Sequence, residues 1–189
     1  MSRIVDRGAV VGAYVGIGMA LTIAVSFLLV IPIAIVFLLL GLPSGLLIGY
    51  YANARAERAA GPWRRILANG LFAGLVTAAT MALLFLGVKA LFFYADDGYR
   101  DASLGPPLEC RPGAECVLAR YRAEPDLGPR LAAAGVSDAA SFTAFYWREQ
   151  ASSGAYVLVL TLLGALGGAL TYGVVRPRAS PADREDVTT

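Results

Sequence analysis

A long stretch near the start of the chain carries no charge. Residues 8–54 include no Asp, Glu, Lys or Arg over 47 positions. A single helix of that length would measure about 70 Å, whereas the apolar core of a bilayer is about 30 Å thick and takes about 20 residues per crossing. The pattern therefore predicts two transmembrane helices, with Pro32 at the turn between them because proline is tolerated in the first turn of a helix.

Two further uncharged stretches, residues 66–88 and 150–175, each predict one more span. Of the 189 residues 57% are hydrophobic, which exceeds the 45–50% typical of soluble domains. The fold class we expect is an all-α membrane protein, a four-transmembrane-helix bundle that forms a single domain with a small external helical cap between helices 3 and 4. The four spans are predicted at residues 8–30, 33–52, 66–93 and 154–175. The cap is predicted at residues 94–153, and residues 179–189 are predicted to form a disordered cytoplasmic tail.

Proline and glycine residues predict where the second span is bent and where its continuation ends. Pro43 falls in mid-span, where the loss of one helical hydrogen bond predicts a kink or a local break. Residues 53–60 have helical composition and extend the same helix beyond the membrane. Gly61 and Pro62 then give the order of residues that ends a helix.

The first and third spans resemble each other. At an offset of 58, eight of nineteen positions are identical between 12–30 and 70–88. This predicts a duplicated helical hairpin, with both copies starting on the same side of the membrane. Apolar helices also align easily by chance, and the second and fourth spans match less well.

Small residues recur four positions apart in every span, and positions four apart share one helix face. Such faces let helix backbones approach closely in lipid. We expect most of them to pack inside the bundle, and the alternative is that one face docks the helix of a partner. The helix-packing glycines are Gly12, Gly16, Gly41, Gly45, Gly49, Gly70, Gly74, Gly164 and Gly168.

Arginine is concentrated in the short connections, which predicts their side of the membrane. Residues 53–65 carry a net charge of +3, and Arg3 and Arg7 add to the N-terminus, whereas the loop at 94–153 carries a net −3. Both termini are therefore expected to be cytoplasmic and the loop external. The layout resembles that of small bacterial membrane proteins, so we expect a bacterial cell membrane.

The two cysteines, Cys110 and Cys116, flank a Pro-Gly pair typical of a type II turn. In an external loop they predict a structural disulfide. Four spans with external cysteines also resemble the disulfide-forming membrane oxidases. That family needs a Cys-x-x-Cys pair and a second pair, and this chain has one pair at a different spacing.

Lys89 is the only charged residue inside a predicted span, and an intramembrane charge is a functional hypothesis by default. The favoured alternative is that its side chain reaches outward to Asp96 or Asp97. Pro43 and Lys89 are thus the two candidate intramembrane functional residues.

The external loop is predicted to fold. Residues 116–123 have helical composition, and Ser137 is expected to cap a helix from 138 to about 150. Phe142, Phe145 and Tyr146 share one face of that helix. This aromatic stripe fits either the rim of the bundle at the lipid interface or a docking surface for an external partner.

The net charge and the residue types of the chain limit the classes of function that it can perform. A net charge of +2 argues against nucleic acid as a partner, and the chain contains no histidine. We expect no catalytic residues, no cofactor and no metal site. The hypothesis is a non-enzymatic accessory, structural or assembly subunit of a larger membrane complex, in contact with the bilayer and with other subunits or itself. The alternative is a small transporter or channel, as a single chain or a homodimer, that uses the region around Pro43.

Overall fold

A computed structural model describes residues 5–30, 34–56, 62–95, 98–99 and 108–175. The predicted turn at Pro32, the helix stop at Gly61, the tail at 179–189 and the acidic partners Asp96 and Asp97 lie outside these residues. Within them, four helices are long and apolar enough to cross a membrane. The prediction of four spans is confirmed to that extent.

The described elements are almost entirely helical. Helix α1 passes into a π-helical turn, and two short strands pair in an antiparallel ladder with Gly98 opposite Glu109. The elements are α1 (Arg7–Ala24) with its π-helical turn (Val25–Val30), α2 (Ala34–Ala54), α3 (Trp63–Ala95), β1 (Gly98–Tyr99), β2 (Leu108–Glu109), α4 (Ala114–Ala123), α5 (Leu127–Ala133) and α6 (Ala139–Val175).

Helix α2 ends earlier than its composition predicts. The helix expected to continue through residues 53–60 stops at Ala54, so that prediction is wrong at Arg55 and Ala56, and residues 57–60 lie outside the described part of the chain. The backbone N–H of Ala56 donates to the carbonyl of Asn53, three residues back, and this tighter hydrogen bond closes the last turn.

Pro43 lies inside α2 without interrupting it. The local break expected there is absent, because the helix is continuous from Ala34 to Ala54. Proline removes one N–H donor, but the neighbouring turns keep theirs. Packing also holds both sides of Pro43 in place, since Gly41 and Gly45 each lie against α6 near Thr161.

Helix α6 joins two elements that were expected to be separate. It runs for 37 residues from Ala139 to Val175, whereas the sequence predicts a loop helix at 138–150 and a distinct span at 154–175. No proline follows Gly154 in this stretch, and a lone glycine weakens a helix without ending it.

Asp138, rather than the expected Ser137, caps the start of α6. The backbone N–H of Ser141 donates to Asp138 Oδ1 at 2.8 Å, and Ser141 Oγ accepts from the N–H of Asp138 at 3.2 Å. This reciprocal pair is a capping box. The hydrogen bonds from the backbone and side chain of Ser141 lower the pKa of Asp138 below its usual value.

The chain divides into two compact units. The first comprises Met1–Leu84 and Ala155–Thr189, and the second comprises Phe85–Gly154, so the division falls inside α3 and α6. The first unit buries Phe37, Ile48 and Met81 among small residues. The second has a compact core contributed by α3, α4, α5 and α6, made of Phe93, Val117, Leu118, Leu131, Phe142 and Tyr146.

Candidate functional site

Helices α2 and α6 touch through their backbones. A methyl group added at Gly49 would overlap the carbonyl oxygen of Ala165, and one added at Gly168 would overlap the carbonyl oxygen of Leu46. Residue numbers rise together along the two helices, with Gly45 at Thr161 and Gly49 at Ala165, so the helices run parallel. No side chains lie between the two backbones at this contact, which we call the seam between α2 and α6, because only glycine lets helices approach this closely.

The glycines of α1 and α3 also face neighbouring helices. Gly12 lies against Ala52 and Ala73, and Gly16 lies against Thr77. Gly70 and Gly74 lie against α6 at Ala169 and Ala165. All nine glycines singled out from the sequence therefore stand at helix contacts within the first unit.

The buried hydroxyls of the first unit are satisfied by their own helices. Thr77 Oγ1 donates to the carbonyl of Ala73 at 2.9 Å, and Thr161 Oγ1 donates to the carbonyl of Val157 at 2.8 Å. Both residues are fully buried. Their polarity is thus neutralised locally and is not directed toward a ligand.

A polar cluster that the sequence analysis missed ties together three helix ends. Asn53 is 1% exposed, and its Nδ2 donates to the carbonyls of Gly49 at 2.9 Å and Ile66 at 3.0 Å. The second bond crosses from the end of α2 to the start of α3. Since each buried amide hydrogen has a partner, the cross-link stabilises this junction.

The same cluster anchors the start of α1. The backbone N–H of Asp6 donates to Asn69 Oδ1 on α3 at 3.2 Å, and Asp6 Oδ1 caps α1 by accepting from Gly8 N–H at 2.9 Å. Asp6 Oδ2 is buried and has no hydrogen-bond partner. The sequence does contain a feature that indicates this cluster, because Asn53 and Asn69 are the only asparagines in the chain and both lie in apolar stretches.

Lys89 turns back along its own helix. Its Nζ lies 5.7 Å from the ring centroid of Phe85, one turn earlier on α3. Its backbone carbonyl accepts a hydrogen bond from the Tyr146 hydroxyl at 3.2 Å. The expected partners Asp96 and Asp97 are outside the described residues, so the outward-reaching alternative stays a prediction.

The predicted disulfide between Cys110 and Cys116 is confirmed. It joins the residue after β2 to the first turns of α4, and Cys116 is buried. Gly113 between them has a φ of 130°, a backbone conformation that favours glycine.

The aromatic stripe of α6 forms part of a core. Phe142 is 0% exposed, and Tyr146 lies 4.7 Å from Phe93 between ring centroids. Both expectations, a lipid-facing rim and an exposed docking surface, are therefore wrong for Phe142 and Tyr146. The reason is that α4 and α5 cover this face with Val117, Leu118 and Leu131.

Tyr121 of α4 closes the edge of that core. Its ring packs edge-on against Phe142 with centroids 5.2 Å apart. Burial raises the pKa of the Tyr121 hydroxyl, and the nearby carboxylates of Glu149 and Glu124 raise it further.

Four helices long and apolar enough to cross a membrane are consistent with a polytopic membrane protein. Its first unit is closed by glycine contacts, and its second unit is helical and contains the disulfide. Among the described residues, no group of three or more His, Cys, Asp or Glu side chains is placed to hold a metal ion. Comparisons with protein-family models, with curated proteins and with solved structures found no match.

Proposed function

We propose that this protein is a non-enzymatic subunit of a larger membrane complex, with a structural or assembly role. The observation that carries the proposal is the pair of open glycines on α1 and α6. Gly18 and Gly167 have no neighbouring atom within 4 Å of the position that a Cβ would take, in contrast to the nine glycines at internal contacts.

Gly87 on α3 has equally open surroundings but is followed one turn later by Leu91, whereas Gly18 and Gly167 are each followed one turn later by an exposed threonine. Thr22 Oγ1 donates to the carbonyl of Gly18 at 3.0 Å, and Thr171 Oγ1 donates to the carbonyl of Gly167 at 2.8 Å. Small residues four apart, with satisfied hydroxyls, form the kind of surface on which membrane helices pack. The small side chains at these positions leave room for a partner helix to approach the surfaces of α1 and α6 closely.

The orientation that we propose places both termini in the cytoplasm and residues 94–153 outside. Arg7, Arg55, Arg64 and Arg65 lie at one end of the first unit's helices, which supports a cytoplasmic position for that end. The Cys110–Cys116 disulfide supports an oxidising compartment for the second unit.

A duplicated hairpin also remains part of the proposal. The aligned residues Gly12 and Gly70 have similar neighbours, because each lies against an alanine of an adjacent helix, Ala52 and Ala169 respectively. The transporter alternative depended on an interrupted span at Pro43. The continuous α2 gives that alternative no support.

The test compares partners that co-purify with tagged variants. Gly18→Leu and Gly167→Leu add bulk at positions where a Cβ would meet no atom within 4 Å. The detergent-extracted proteins are analysed by mass spectrometry. We expect stoichiometric partner subunits with the wild type and their loss with one or both leucine variants. Gly18→Ala and Gly167→Ala control for helix propensity, and Val159→Leu controls for added bulk on an exposed position.

The controls should keep the partners. A wild-type protein that purifies alone, or leucine variants that retain every partner, would contradict the subunit proposal. Purification as a homodimer that the leucine variants dissociate would assign the open faces to a second copy of the chain.

A further inference from the structure

We propose that the arginine-bearing end of the first unit binds the phosphate group of anionic phospholipids. This surface, the arginine rim, consists of Arg7, Arg55, Arg64, Arg65 and Trp63. It is independent of the partner-docking faces proposed above, since none of those residues belongs to it.

The arginine rim is assembled by contacts between three helix ends. A methyl group at Gly8, next to Arg7, would lie 2.6 Å from the carbonyl carbon of Arg55. Asn53 is hydrogen-bonded to Ile66, which follows Arg65. The ends of α1, α2 and α3 are therefore held together by one close backbone approach and one side-chain hydrogen bond to a backbone carbonyl, which brings arginines distant in sequence to the same end of the unit.

Charge is confined to this end. Within the described part of the first unit, the only charged residues are these four arginines and Asp6. One Asp6 oxygen is engaged in capping α1 and the other is buried, so the carboxylate faces inward. These four arginines and Asp6 give the described residues of the first unit a net charge of +3, and the four cationic side chains lie in the rim.

The residue types match a phosphodiester. The guanidinium group is planar and can form two parallel hydrogen bonds to phosphate oxygens, which an ammonium group cannot do. Arg7, Arg55 and Arg64 are exposed, and Arg55 is steadied by the Tyr51 ring, 5.5 Å from its guanidinium carbon.

The surface next to the rim suits acyl chains. Trp63 is 43% exposed, and amphipathic rings of this kind lie at headgroup level in membranes. Leu71 and Leu75 follow on α3 as exposed apolar side chains, about 10 and 16 Å along the helix from Arg64. A lipid whose phosphate binds Arg64 can therefore lay a chain along α3, which a free phosphate ion cannot do.

The experiment titrates the full-length protein in neutral detergent with phosphatidylglycerol or phosphatidylcholine of the same acyl chains. Bound lipids are counted by native mass spectrometry. We expect phosphatidylglycerol to bind more tightly, and Arg55→Gln with Arg64→Gln to weaken it about thirtyfold, because each surface charge contributes separately. Arg148→Gln, at an exposed arginine of the second unit, is the matched control and should bind as the wild type does.

A charge-preserving variant separates guanidinium geometry from charge alone. Arg55→Lys with Arg64→Lys should give an affinity between those of the wild type and the glutamine variant. Circular dichroism and gel filtration check that each variant is folded. The wild-type preference between the two lipids decides the proposal even where a variant fails to fold.

Three results would overturn the proposal. One is equal binding of phosphatidylglycerol and phosphatidylcholine by the wild type. Another is an unchanged preference in the folded glutamine variant. The third is full competition by inorganic phosphate at millimolar concentration, which would assign the rim to a free anion.

Discussion

The side-chain amide of Asn53 lies 3.0 Å from the backbone carbonyl of Ile66 and joins the end of α2 to the start of α3. Its second hydrogen bond is to the carbonyl of Gly49 in its own helix. One buried side chain thus holds two helices that the sequence connects only through a polar segment.

Asn53→Leu should lower the free energy of unfolding by about 1–2 kcal/mol, because two buried hydrogen bonds are lost. Unfolding in a mild detergent titrated with a denaturing one measures the change. Thr22→Val is the control, since Thr22 bonds only its own helix and is exposed. Equal stability of the two variants would show that the cross-link between α2 and α3 contributes little.

Gly168→Ala should destabilise the first unit by about 1–3 kcal/mol, because the new methyl group overlaps backbone atoms of Leu46 that cannot move aside. Gly167→Ala, one residue earlier, meets open space and should be neutral or stabilising by up to about 1 kcal/mol. The same detergent titration compares them. A Gly168→Ala protein as stable as Gly167→Ala would contradict the parallel seam between α2 and α6.

Phe142→Ala should cost about 3–5 kcal/mol in the second unit, because a fully buried ring is removed from a packed cluster. Phe92→Ala removes a ring that is 41% exposed in the same unit and should cost much less. Limited proteolysis of residues 108–138 reports the local stability. Similar protease resistance in both variants would contradict the burial of Phe142 and indicate that the aromatic stripe is exposed.

Reduction of the Cys110–Cys116 bond should destabilise the second unit by about 2 kcal/mol, since a short closed loop gains freedom when unfolded. Proteolysis with and without reductant measures the effect. The paired substitution Cys110→Ser with Cys116→Ser should reproduce it and remove the response to reductant. The first unit's resistance should stay constant, and a loss there would contradict a local role.

The raised pKa of Tyr121 predicts a loss of stability at alkaline pH. The folded protein favours the protonated hydroxyl, so the stabilisation is complete below the unfolded value of about 10.0 and falls as the pH rises through the higher folded pKa. Thermal unfolding of the second unit across this range tests the slope. Tyr121→Phe should flatten the slope while keeping the ring.

The four spans could be predicted because a bilayer imposes a length on uncharged sequence that no local packing choice alters. The boundaries followed from weaker signals. Ser137 and Asp138 are both good capping residues, and only the contact with Ser141 distinguishes them. The continuity between the loop helix and the last span was missed because Ser152, Ser153 and Gly154 are weak helix formers, which lower helix stability without ending the helix.

The pairing of helices could not be predicted, since every span carries a similar row of small residues. Three-dimensional packing decides that Gly45 contacts α6 and that Gly12 contacts α2. The aromatic stripe was misjudged for the same reason. A helical face shows its hydrophobicity in the sequence, but the side chains that cover Phe142 come from α4 and α5.

The parallel seam also has a consequence for biosynthesis. Translation proceeds from the N-terminus, so α2 enters the membrane while α3 to α6 are still to be made. During that interval the backbone at Gly45 and Gly49 is without the α6 surface that later covers it. During this period α2 needs lipid, an insertion factor or an adjacent nascent helix beside it. A helix that paired wrongly with α2 in this interval would block the native contact with α6.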